Sequence, residues 1–326
     1  MGTIRGAAEK ERSHLVNPVT GEQAALPDVT TMGTIHADCA GFHYALEIER
    51  FVQVRLGSPH PPSLRGPVWE AVGPRSSLTL AGTQMLQYFY GKVVLSASPH
   101  PGCYAAMLIL HRDFGAPAFA SAEDPVWRLA PSPDAIDDAI HHDGRFYSVT
   151  CSGVVQAWKP DPGVDGEMTG TAVAPRLTLA DQDKAAESAT PRLTDNYSMC
   201  HKYLVAAPDG RLMVYVLDGA AGQWEETHDI GQAALFVGLN NSLCVSTKEH
   251  AGLRAGRVYF TDDELEHAAW RTEERNRYLY GRRGFQKRCI GVYDLKSGRM
   301  KKVRSSVERP SFWPPAAWFT PSTVST

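Results

Sequence analysis

Short apolar runs bounded by turn residues dominate this chain. They include "KVVLSAS" (92–98), "YAAMLIL" (104–110), "RFYSVT" (145–150), "GVVQAW" (153–158) and "KYLVAA" (202–207). "RLMVYVL" (211–217), "ALFVGL" (234–239), "SLCVST" (242–247), "RVYFT" (257–261) and "IGVYDL" (290–295) continue the series. Their length and their Val, Tyr, Phe and Leu content predict strands. The links carry hairpin chemistry: Asp143-Gly144, Ser152-Gly153, Asp209-Gly210, Asn240-Asn241 and Ser297-Gly298. Two-residue turns that match the twist of paired strands need residues tolerant of positive φ. Helical periodicity is scarce, which disfavours a parallel βαβ fold.

In "RLMVYVL", Leu212, Val214 and Val216 alternate with Met213, Tyr215 and Leu217, so both faces are apolar. An antiparallel strand covered on both sides suits a large sandwich or a propeller whose blades pack between neighbours. The unit "DAIHHDGRFYSVTCSGVVQAW" is echoed by "HKYLVAAPDGRLMVYVLDGAAGQW". Each reads strand, Asp-Gly turn, strand, second turn, and a segment ending in Trp158 or Trp224. That degenerate repeat favours the propeller.

Three stretches read as insertions. Residues 56–77 are Pro-rich and predict a surface loop. Residues 159–193 are polar and predict a flexible excursion, and 262–288 have a helix-forming composition. Residues 1–14 predict an irregular or disordered N-terminus, and 15–322 a single domain.

Composition narrows the function classes. A hydrophobic share of 43% and a charged share of 21% are globular values. A net charge of −3 supplies no electrostatic reason to expect nucleic acid or an anionic membrane as partner. The six cysteines (39, 103, 151, 200, 244 and 289) form no CxxC pair and are expected to be reduced and mostly buried. The front of the chain lacks an apolar leader, and no run reaches the ~18 residues of a membrane span. The expected location is the cytoplasm, the nucleus or both.

The motifs that could carry chemistry each have a simpler structural reading. In "HHDGRFYSVTC", His141 and His142 are strand neighbours that point to opposite faces, so they do not readily chelate one metal. Asp143 belongs to a turn, and Cys151 lacks a basic partner at motif spacing. Asp137 and Asp138 read as a half-exposed strand entry, and "TDDELE" (261–266) as a helix cap. Cys200-His201 reads as a core thiol beside a surface histidine. Lys287-Arg288 and "KKVR" (301–304) have bipartite nuclear-import spacing, but an apolar strand and a Ser-Gly hairpin separate them. Asn196 and Asn240 begin N-x-S triplets without a secretory context. No P-loop, dinucleotide fingerprint, nucleophile elbow or HExxH is present. The expectation is therefore no catalytic, cofactor-binding or metal-binding residue.

Nine ordered blocks resemble one plant family. They are "NPVTGE" with "LP" after it, "KVVLSASPHPGCY", "AFASAEDPVW", "DAIDDAIHHDGRFYSVTCSGVVQAW" and "KYLVAAPDGRLMVYV". "ALFVGLNNSLCVS", "GLRAGRVYFTDDE", "GVYDLKSGRM" and "PPAAWFTPS" complete the set. Together they resemble the KIB-type β-propeller domain of plant F-box-related proteins. The resemblance implies an all-β propeller of about six or seven four-stranded blades, without catalytic residues to carry over. It also implies a role in presenting a protein, such as a signalling kinase, for ubiquitination. Only "MGTIRGAAEKERSHLV" precedes "NPVTGE" in this sequence, so the F-box, and the strand material that usually stands before that block, are expected to be absent. The expectation is an incomplete first blade and no direct docking on a Skp1-type adaptor. Two rival readings are a propeller hydrolase, which needs carboxylates or a histidine converging on the channel, and a truncated duplicate without a stable function.

Overall fold

A computed structural model describes residues 14–16, 23–38, 43–49, 70–72, 75–81, 85, 90–96, 102–110, 116–132, 135–164, 166–174, 202–207, 211–216, 229–250, 252–261, 290–302 and 318. These fall into two compact units. The larger takes the described residues up to 202 together with 215 and 216, and the smaller takes 203–207, 211–214 and those from 229 onward.

In the larger unit, β1 (His14–Val16) and β2 (Gln23–Ala25) form an antiparallel pair. Then β3 (Ile35–Ala37), β4 (His43–Glu49), β5 (Glu70–Val72) and β6 (Arg75–Ala81) make an antiparallel sheet in the order β3-β4-β6-β5. Two four-stranded meanders follow. One is β7 (Tyr90–Leu95), β8 (Ala105–Leu110), β9 (Ala118–Ser121) and β10 (Arg128–Leu129). The other is β11 (Ile136–His142), β12 (Arg145–Thr150), β13 (Val155–Pro160) and β14 (Met168–Ala174). Sheets in which each strand pairs with the next in sequence are the unit from which propeller blades are built.

Strand β8 shows how such a sheet is buried twice over. Ala106, Leu108 and Leu110 enter one apolar cluster with Leu46, Leu80 and Trp127. Met107 and Ile109, on the other face, enter a second cluster with Phe119, Ile136, Phe146 and Trp158. The period-2 alternation of a strand sends successive side chains to opposite faces, so an all-apolar strand is stable only between two covers. In the second cluster the Phe119 ring lies 5.1 Å from Trp158 and 5.8 Å edge-on from Phe146. The Trp158 indole spans to its cross-strand partner Gly170, where an added Cβ would meet the ring at 3.1 Å. Trp127 is tied to the single 3-10 turn among the described residues, Val29–Met32. Its indole donates to the Pro27 carbonyl at 2.9 Å and its amide to Thr31 Oγ1 at 3.0 Å.

The β11–β12 hairpin has the expected turn. Asp143 (φ 45°) and Gly144 (φ 74°) are both left-handed, as the mirror-image two-residue turn requires.

Strands β15 (Lys202–Ala206) and β16 (Leu212–Val216) form a two-stranded sheet. In the smaller unit, β17 (Ala233–Val237), β18 (Leu243–Ser246), β19 (Arg257–Phe260), β20 (Gly291–Asp294) and β21 (Arg299–Lys302) form a sheet ordered β18-β17-β19-β20-β21. The pattern predicted antiparallel hairpins throughout, yet β17 and β19 run parallel. Residues 247–256 carry the chain back past β17, and the Gly256 amide donates to the Ala233 carbonyl at 2.9 Å. A parallel neighbour needs such a crossover in place of a tight turn. The link from β17 to β18 spans 238–242, so Asn240-Asn241 is not a two-residue hairpin turn.

The stretches expected as insertions contribute strands where they are described. Residues 56–77 supply β5 and the start of β6, and 159–193 supply the end of β13 and all of β14. Pro, Gly and Asp around 160–166 masked the strand that comes after the turn. The stretch 262–288 and the motifs 262–266, Cys200-His201, Asn196 and Lys287-Arg288 lie outside the described residues.

Candidate functional site

The site of greatest chemical interest lies on β11. Its pairing with β12 slips between Ile136 and Asp138, which leaves Asp137 as an extra, bulged residue. A bulge re-aims side chains that strict alternation would send to opposite faces. Here it brings two consecutive carboxylates into buried surroundings. The Asp137 side chain is 4% exposed and that of Asp138 is 3% exposed.

Each carboxylate meets a buried lysine. Lys92, on β7, donates to Asp138 Oδ1, which also accepts the Ala139 amide at 2.8 Å. Lys202, at the start of β15 and belonging to the larger unit, lies 3.3 Å from Asp137 Oδ2 and donates to the Cys151 carbonyl at 2.7 Å. The Cys151 thiol in turn donates to Asp137 Oδ1 at 2.8 Å. Asp137 and Asp138 are thus not the half-exposed strand entry that their composition predicts. Their counter-charges sit 65 and 46 positions away, where motif spacing does not look. A lysine standing in an otherwise apolar strand, as in "KVVLSAS" and "KYLVAA", was the available signal.

This arrangement neutralises charge. A carboxylate deep in protein is tolerable only when paired and hydrogen-bonded, and each one here has both kinds of partner. Cys151 has no basic partner at motif spacing; the lysine beside it, Lys202, comes from 51 positions further along the chain and donates to the Cys151 carbonyl. A thiol that donates its proton to a carboxylate is the protonated form, which is the weaker nucleophile.

The two histidines are placed as hairpin residues. His141 packs its ring edge against Phe146, its cross-strand partner, with centroids 4.9 Å apart. Burial, and then the charge of His142, hold the His141 pKa below the ordinary 6.5. His142 Nε2 lies 3.3 Å from Asp143 Oδ2, whose side chain is 79% exposed in the turn. Among the described residues no three His, Cys, Asp or Glu side chains gather as a metal site.

A second cluster lies in the smaller unit. Trp318 packs edge-on against Phe236, which stacks on Tyr259 with centroids 4.8 Å apart. The Trp318 indole donates to the Val237 carbonyl at 2.8 Å. The Asn240 carboxamide, read from sequence as a turn residue, donates to the Trp318 carbonyl and accepts the Trp318 amide, both at 2.9 Å. Nearby, Thr261 occupies the space where a side chain at Gly238 would begin, since a Cβ there would fall 2.0 Å from Thr261 Oγ1. Glycine is therefore required at 238 by close approach. The Thr261 hydroxyl is buried and has no hydrogen-bond partner among the described residues.

Cys103, Cys151 and Cys244 are reduced, with no disulfide to any of them. Cys103 is exposed, against the expectation of burial, while the other two are partly buried. No described helix is long and apolar enough to cross a membrane. The basic run at 301–302 lies in β21, paired with β20 across the 295–298 turn, so it is folded hairpin as its spacer predicted.

No curated protein and no solved structure matches this chain. The KIB1-4 beta-propeller family model matches residues 4–294, nearly the whole of it. With consecutive four-stranded meanders buried on both faces and almost no helix among the described residues, the chain belongs to the KIB1-4 beta-propeller family and is an all-β propeller protein.

Proposed function

We propose that this chain is a non-catalytic protein-recognition propeller, akin to the substrate-binding part of F-box-type ubiquitin ligase adaptors. The observation that carries the reading is the state of Asp137 and Asp138. The two acids best placed for chemistry on β11 are buried, and each is neutralised by a lysine. A general acid or nucleophile needs access to its substrate. The partner class is a protein, with a kinase or other signalling protein as the leading candidate, and neither nucleic acid nor membrane is proposed. The net charge of −3 is in keeping with that choice. We place its action in the cytoplasm or nucleus.

The test is affinity capture of the tagged full chain from plant cells, with mass spectrometry of the proteins that co-purify. The expected result is a reproducible signalling protein among them. Recovery of chaperones alone would overturn the reading. So would substrate turnover by the purified protein that Asp137→Asn abolishes.

A further inference from the structure

The sheet of the smaller unit has two unlike faces. Residues that pair across a sheet share a face, and successive residues of a strand alternate between faces. One face is core, where Leu235, Val237, Val258 and Phe260 are buried. The other carries the cross-strand series Leu243, Phe236, Tyr259, Val292 and Lys301, and none of these is buried. Trp318 extends the aromatic part of this series and is itself partly exposed. Its ring lies 5.0 Å from Phe236 and 6.4 Å from Tyr259. Partly exposed aromatic side chains are the ones that most often anchor protein interfaces.

Charge decides what suits this face. On the same side, Arg257, Asp294 and Arg299 are cross-strand neighbours. Asp294 is already engaged by others. Its Oδ2 pairs with Arg257, and its Oδ1 accepts the amides of Lys296 and Ser297, both at 3.0 Å. Arg299 and Lys301 are exposed, and among the described residues no carboxylate pairs with either. The whole chain carries −3, so this positive charge is local and not part of a generally basic surface.

We propose that this face binds an acidic segment of a partner protein. Apolar side chains of that segment rest on Phe236, Tyr259 and Trp318, while its Asp or Glu side chains meet Arg299 and Lys301. Resting on the protein-recognition role proposed above, this assigns the chemistry of the partner. A neutral occupant would cover a guanidinium and an ammonium without pairing them, a desolvation cost that a carboxylate offsets. A small number of cations beside an apolar centre also suits a short acidic peptide better than the continuous charge of a nucleic acid.

Selection from a displayed library of random dodecapeptides on the full chain tests this. The wild type is expected to enrich peptides with Asp or Glu beside Leu or Phe, bound less tightly as salt is added. Arg299→Glu with Lys301→Glu is expected to weaken a selected peptide by about tenfold and to turn the selection towards Lys and Arg. Both side chains are exposed, so thermal unfolding of the variant is expected to match the wild type. Selected peptides held equally by the variant overturn the proposal. So does a selection without acidic residues, or a duplex DNA probe that binds more tightly than the selected peptides. Affinity capture from plant cells separates this site from the broader role. A signalling protein recovered by wild type and variant alike overturns the site and leaves the recognition role standing, whereas chaperones alone on the wild type overturn both.

Discussion

The carboxamide of Asn240 holds both backbone polar groups of Trp318, 78 positions further along the chain, in the way a paired strand would. One side chain thereby supplies the donor and the acceptor that a neighbouring strand would otherwise provide. Replacing Asn240 with Ala removes both bonds and leaves part-buried backbone groups unpaired. The expected loss is about 1–3 kcal/mol of stability. A lower urea midpoint and a shifted Trp emission would report it, and an unchanged midpoint would remove Asn240 from any structural role.

The Lys92–Asp138 pair allows a sharper test, because both side chains are under a tenth exposed. Lys92→Met strands a buried carboxylate and is expected to cost about 3–5 kcal/mol. Lys92→Met combined with Asp138→Leu removes both charges and is expected to recover much of that loss. Equal destabilisation in the single and double variants, measured by chemical denaturation, would mean that the charge itself is not the cost.

Thr261 predicts the opposite sign. Its Oγ1 is buried and finds no partner among the described residues, so the hydroxyl contributes a desolvation cost with no such bond to offset it. Thr261→Val keeps the shape against Gly238 and is expected to leave stability unchanged or raise it by up to about 1 kcal/mol. A clear loss on thermal unfolding would show that the hydroxyl is bonded in solution.

Stability is also expected to fall in mild acid because of His141. Its folded pKa lies below the ordinary 6.5, chiefly through burial and then through the charge of His142. The unfolded chain therefore binds more protons there, and the stabilisation, complete above 6.5, is lost as pH falls through the folded value. His141→Phe should flatten the melting-temperature profile between about pH 7.5 and 5. A profile of unchanged slope would assign the acid sensitivity to other groups.

What the sequence by itself determined is the local part of this protein. The Asp143-Gly144 turn, the β11–β12 hairpin and the separation of His141 from His142 follow from a few adjacent residues. Turn conformation and strand alternation depend on neighbours in the chain, so they can be read along it. The doubly apolar strands likewise announced sheets covered on both faces, as β8 shows. Tertiary structure decided the rest. Composition made Asp137 and Asp138 look like a half-exposed strand entry, Asn240 like a turn and 168–174 like part of an insertion. Burial of the two acids required a bulge in β11 and lysines from strands far away in sequence. The role of Asn240 required a parallel crossover beside β17 and a tryptophan from the end of the chain. Those outcomes depend on which strands come to lie side by side, and that is set by packing between sheets, which no local period encodes.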